Sequence, residues 1–108
     1  MWVAREFRYD NNGTWRYTKA RGASASLTFK GTSVWIYGSK RNNHGEYVIE
    51  LDEQYTTLDG FNDVVLYRQV LFSAVELDDT KWHTVSITNQ FTDDARPYLG
   101  VDSVSVLG

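Results

Sequence analysis

Two aromatic pairs, each spaced two residues apart, stand beside stretches of amide and charge. Trp15 and Tyr17 follow Asn11-Asn12-Gly13-Thr14, and Trp35 and Tyr37 precede the polar segment Lys40-Arg41-Asn42-Asn43-His44. An aromatic ring covers the C–H face of a pyranose while nearby amides, carboxylates and guanidinium groups satisfy its hydroxyls, so these residue types are the ingredients of a sugar-binding surface. The ligand-binding candidates are therefore Trp35, Tyr37, Arg41, Asn42, Asn43, His44 and Trp15. Each has a plainer account: Trp35 and Tyr37 as rings packed under a loop or between sheets, Arg41 to His44 as a solvated hairpin loop, and Trp15 as a plug at one end of the core.

Chemistry of the catalytic kind is not displayed. The sequence shows no nucleophile beside a base, no pair of isolated carboxylates, no phosphate-binding glycine loop and no His-x-x-x-His spacing. Asp78-Asp79 and Asp93-Asp94 are adjacent carboxylates in turn-like segments, where such residues cap and solvate the chain. His83 shares the face of its strand with Val85 and Ile87, which marks a hydrogen-bonded structural histidine. Asp102 lies among apolar residues, where a carboxylate must be paired, hydrogen-bonded or bound to a cation; bonding to loop amides is the first expectation and calcium the second.

The elements that position these residues are strands. Ala25, Leu27 and Phe29 alternate with Ser and Thr; Val34 and Ile36 alternate with Trp35 and Tyr37; and Tyr47, Ile49 and Leu51 share the inner face of the next strand. Gly38 to Gly45 reads as a loop, with Asp52-Glu53-Gln54 and Asp59 to Asp63 as turns. Val64 to Phe72 is the longest apolar stretch, and its β-branched and aromatic content favours strand, with a helical turn as the local ambiguity. Trp82 to Asn89 alternates cleanly, and Tyr98 to Val106 closes the chain with Asp102, Val104 and Val106 facing one way. Short strands between turns, without repeat or linker, mean a sandwich or barrel.

At 108 residues the chain fits one domain, 1–108, with one core. A net charge of −3 offers no attraction to phosphate polyanions, which excludes nucleic acid and anionic membranes as first partners. Without cysteine, stability rests on packing. No apolar run approaches the roughly 20 residues that span a bilayer, Met1 to Arg5 does not read as a secretory signal, and the chain reads equally as a domain cut from something larger. Asn12-Gly13-Thr14 is a glycosylation sequon, a pattern that also arises by chance.

Three stretches in order carry a resemblance: Ala25 to Gly38, Leu71 to Asn89 around Leu77-Asp78-Asp79-Thr80-Lys81-Trp82-His83-Thr84-Val85, and Leu99 to Val106. They resemble the galactose-binding-like jelly rolls found as carbohydrate-binding modules and as extracellular domains of many fungal proteins. The resemblance implies an all-β antiparallel sandwich, an extracellular or secreted location, and a structural calcium held by Asp102 with Glu6 or Asp10, although the usual N-terminal acidic signature is not clear in this sequence. Trp2 to Tyr17 is shorter than the family's opening segment, which implies a strand missing or supplied by a second copy at an open edge.

The leading expectation is thus a non-catalytic, lectin-like carbohydrate-binding module. The alternative is a structural or protein-interaction ectodomain whose exposed aromatics bury against a protein partner or a second copy of the chain. A small jelly-roll hydrolase ranks third, since it needs an acid pair or metal centre that the sequence does not display.

Overall fold

A computed structural model describes residues 2–4, 8–9 and 16–107, with the backbone alone for 2–4, 8–9 and 16–17. Ten strands follow in order: β1 (Trp2–Ala4), β2 (Arg8–Tyr9), β3 (Arg16–Thr18), β4 (Ser24–Lys30), β5 (Ser33–Lys40), β6 (Glu46–Leu51), β7 (Gln54–Asp59), β8 (Leu66–Ala74), β9 (Trp82–Asn89) and β10 (Leu99–Leu107). They form two antiparallel five-stranded sheets, β1-β4-β9-β6-β7 and β2-β3-β10-β5-β8, the layers of a β-sandwich. Among the described residues there is no helix; the stretch from Val64 to Phe72 enters β8.

The alternation along each strand sets what is buried. In the first sheet the rows Ala25–Ile87–Ile49 and Leu27–Val85–Leu51 run across β4, β9 and β6 on the inner face. They meet Val34, Ile36, Leu71, Leu99 and Val101 of the second sheet in one apolar cluster. Each fully buried aliphatic side chain contributes about 1.5–3 kcal/mol. The Tyr47 hydroxyl donates to the Leu71 carbonyl, tying the sheets together through the core.

Two departures from the sequence reading follow from pairing. The N-terminal segment supplies backbone to both sheets: β1 pairs with β4, and β3 pairs with β10 and β2. At Asp102 the period of two breaks, because Val101 opposes Gly38 while Ser103 opposes the very next residue, Tyr37. Asp102 is the extra residue of a bulge. Val101, 1% exposed, carries the inward side chain, while Asp102 is half-buried and out of step with Val104 and Val106.

Gly38 marks the closest approach of β5 to its neighbour. A Cβ there would lie 2.1 Å from the Gly100 carbonyl oxygen and 2.6 Å from Leu71 Cδ1. Only a residue without a side chain allows these backbones to pair.

Candidate binding face

β5 lies between β10 and β8, and its alternation divides the side chains as expected: Val34 and Ile36 go into the core, 0% and 1% exposed. Trp35 and Tyr37, half-buried, take the opposite parity, on the outer side of the sheet. Trp35 stands in register between Ser105 and Ser73, and Tyr37 between Ser103 and Val70. The serines are exposed and too short to cover an indole or phenol from the side. Two large rings in a row, flanked mostly by small hydroxyls, give this face both apolar area and hydrogen-bonding groups.

The polar loop follows farther along the chain from the end of β5. Arg41 lies four residues beyond Tyr37, roughly 13 Å along an extended strand. Arg41 and Asn42 are exposed, but the loop is held from both sides: the Arg41 amide donates to Gly60 O at 3.2 Å, the Asn62 amide to Arg41 O at 3.0 Å, and the Tyr98 amide to Asn43 O at 3.1 Å. His44, expected as a ligand-binding residue, is only 6% exposed. Its Nε2 is 3.2 Å from Ser39 Oγ, its Nδ1 is 2.9 Å from Asn43 Oδ1, and its ring stacks on Tyr98. Both ring nitrogens and the Asn43 carbonyl oxygen are therefore engaged inside the loop, which leaves Arg41 and Asn42 as its presented side chains. Trp15 lies outside the described residues, as do Glu6, Asp10 and the sequon Asn12 to Thr14.

Ser39, His44 and Asn43 form a hydroxyl–imidazole–amide chain that sequence spacing did not reveal. Burial, and then the nearby Arg41 charge, pushes the His44 pKa down to about 4. A general base works best with a pKa near the working pH. With an imidazole this reluctant to take a proton, beside a hydroxyl on a residue 6% exposed, the bonded chain closes the loop.

His83 behaves as a structural histidine of the opposite electrostatic kind. Its Nδ1 is bonded to the Asp52 carboxylate and its Nε2 to the Asp78 carbonyl oxygen at 2.7 Å, so both ring nitrogens donate in the imidazolium form. The Asp52 bond, followed by the Asp78 bond, raises its pKa above the usual histidine range. Burial alone would raise the pKa of Asp52, but the bonds from His83 and the Thr84 amide outweigh it and hold the carboxyl below its ordinary value. The pair pins the β6–β7 turn and the loop before β9 to the sheet.

Among the described residues no group of three or more His, Cys, Asp or Glu is arranged to hold a metal ion. No helix among them is long and apolar enough to cross a membrane.

No family model matches the chain. Over 83 residues, 72% of its length, the chain is 35% identical to the A type blood alpha-D-galactosamine galactosaminidase of Flavonifractor plautii, of which it spans 8%. Among solved structures it is similar to a two-domain esterase (CEX) active on acetylated mannans. The TM-score is 0.69 at 19% identity for the crystal with mannopentaose, and 0.68 at 20% identity for the esterase alone. Both superpositions cover 99% of this chain and 34% of the esterase. At that identity the likeness is one of fold, and the chain spans about a third of the esterase and a twelfth of the galactosaminidase.

Proposed function

We propose that the chain is a non-catalytic carbohydrate-binding domain of the galactose-binding-like jelly-roll kind, whose main contact surface is the outer face of β5. The observation that carries this reading is the Trp35–Tyr37 row, set outward on a central strand with Ser73, Ser103 and Ser105 beside it. Rings on a rigid sheet stack on a sugar with little loss of conformational freedom, and short hydroxyls leave the sugar's own hydroxyls room to bond. The similarity to two proteins whose names place them on galactosamine and on acetylated mannans supports a carbohydrate ligand. The small share of each that the chain spans supports an accessory role outside the catalytic part, and an extracellular location goes with it.

The test is a glycan array probed with the domain in calcium and in chelator, with Trp35→Ala and Tyr37→Ala as controls. Specific binding lost in either variant upholds the reading; chelator sensitivity adds the calcium expected near Asp102. A blank array for a folded protein refutes it.

A second reading, that of an interaction domain, rests on the adjoining edge of the same sheet. Val64, Val65, Tyr67, Val70 and Val75 are 42–64% exposed along β8 and its flanks, and β8 is an edge strand. An apolar edge invites pairing with another chain. Self-association abolished by Tyr67→Lys but indifferent to Trp35→Ala favours this reading over the first.

A further inference from the structure

The outer face of the first sheet, on the opposite side of the sandwich from Trp35, carries a groove of about 280 Å3 lined by Glu50, Asp52, Glu53, Thr84 and Ser86. That is just below the roughly 300–1,000 Å3 usual for small-molecule sites, a size for one sugar ring. Its floor is built from register. Ser26, Ser86, Glu50 and Tyr55 form one row across β4, β9, β6 and β7, and Thr28 and Thr84 form the next. The two threonine hydroxyls lie 3.3 Å apart. Tyr55, 71% exposed, stands at the end of the first row beside the Glu50 carboxylate, whose charge and hydrogen bond raise the Tyr55 pKa. Trp82, 67% exposed, lies on the same face four residues along β9 from Ser86, so Tyr55 and Trp82 are on the order of 17 Å apart at Cα, the reach of a short oligosaccharide.

We propose that this groove is a second binding site, selective for saccharides bearing free amino groups. Hydroxyls of Thr84 and Ser86 and the rings at either end suit any sugar; the three carboxylates decide which. Asp52 already bonds the His83 imidazolium and the Thr84 amide, whereas Glu50 and Glu53 bring negative charge to the rim. That charge repels uronic acids and sulfated sugars, and hydrogen bonds from an ammonium group to a carboxylate are about twice as strong as neutral ones. Lys30 lies on the same face but is held over the Trp82 ring at 5.3 Å, four residues from the Glu50 row.

Titration calorimetry of the full chain with D-galactosamine and with the fully deacetylated glucosamine trimer, each against its N-acetylated form, tests the site. The expected result is saturable binding of the amine forms, roughly tenfold tighter than of the N-acetyl forms, and weakened by at least that factor in Glu50→Gln and Glu53→Gln. Both substitutions preserve shape, and Trp35→Ala reports separately on any binding at the β5 face. Equal affinity for the acetylated sugars, indifference to both glutamine variants, or no binding at millimolar sugar would each overturn the proposal. Amine-sugar binding that vanishes in Trp35→Ala overturns it as well and assigns the ligand to the β5 face, so the two sites succeed or fail separately.

Discussion

Acid should loosen the β5–β6 loop through a single imidazole. His44 titrates at about 4 in the folded protein against 6.5 ordinarily, because burial and Arg41 disfavour its charged form. The unfolded chain therefore binds the proton more tightly than the folded one, and stability is lost as pH falls below 6.5, levelling off only below about 4. Linkage gives a loss of about 2 kcal/mol at pH 5, and about 3 kcal/mol at pH 4, from this group alone. His83 works against it: its raised pKa means its contribution is fully present below the ordinary histidine value and is lost as pH rises through the folded value. Urea unfolding followed by tryptophan fluorescence at pH 7 and pH 5, in wild type and His44→Gln, separates the two. Whatever His44→Gln costs at neutral pH cancels in the pH increment. Wild type should lose about 2 kcal/mol more than the variant on going to pH 5. Equal increments would refute the assignment, as would an NMR titration of the His44 ring with a midpoint near 6.5.

Three further outcomes follow from particular contacts. His83→Gln should remove the stabilisation that wild type gains on acidification from pH 8 to pH 6, so the variant's stability becomes flatter over that window in the same urea assay. Gly38→Ala should cost about 3 kcal/mol, at the upper end for overpacking, because its methyl meets the Gly100 backbone and Leu71 at once; an unfolding midpoint near that of wild type would contradict the close approach. Glu53 occupies a two-residue β6–β7 turn at φ 71°, beside Asp52 at 48°, a left-handed geometry that suits glycine. Glu53→Gly should therefore stabilise the fold by about 1 kcal/mol while weakening amine-sugar binding, and a loss of stability would show that the turn does not strain this residue.

The strands were legible because their signal is local. The alternation at Ala23 to Phe29 and at Trp82 to Asn89 is the alternation of burial in β4 and β9, and it also marks His83 as an inward residue. Of the segment Gly38 to Gly45 read as a loop, Gly38 to Lys40 instead prolong β5 and the turn comes only after them, and the fate of His44 was not readable. Its burial depends on a bridge to Tyr98, more than fifty residues away, and on a turn that returns it to Ser39. The bulge at Asp102 inserts one residue with no compositional mark, so strict alternation assigned the wrong side chain to the core. The groove was invisible for a related reason. Its row from Ser26 to Tyr55 joins four strands whose neighbours in space are set by register, and nothing along the chain announces that Glu50 will stand beside Ser86.

The aromatic content makes sense only when divided between inside and outside. Phe29 and Tyr47 are the aromatic side chains in the fully buried core among the described residues, and the rest of that core is Ala, Val, Ile and Leu. Trp35 takes the outer parity of the second sheet, and Trp82 stands exposed on the outer face of the first. Strand propensity does not account for a tryptophan there, since threonine or valine serves a pleated surface as well and exposes less apolar area. Trp82→Thr should accordingly change stability by no more than about 0.5 kcal/mol, as a surface substitution does. If it instead destabilises the domain by several kcal/mol in urea, the indole belongs to the packing of the β9 terminus and the face loses one of its two rings; if stability holds and oligosaccharide binding falls, the ring is there for what the face contacts.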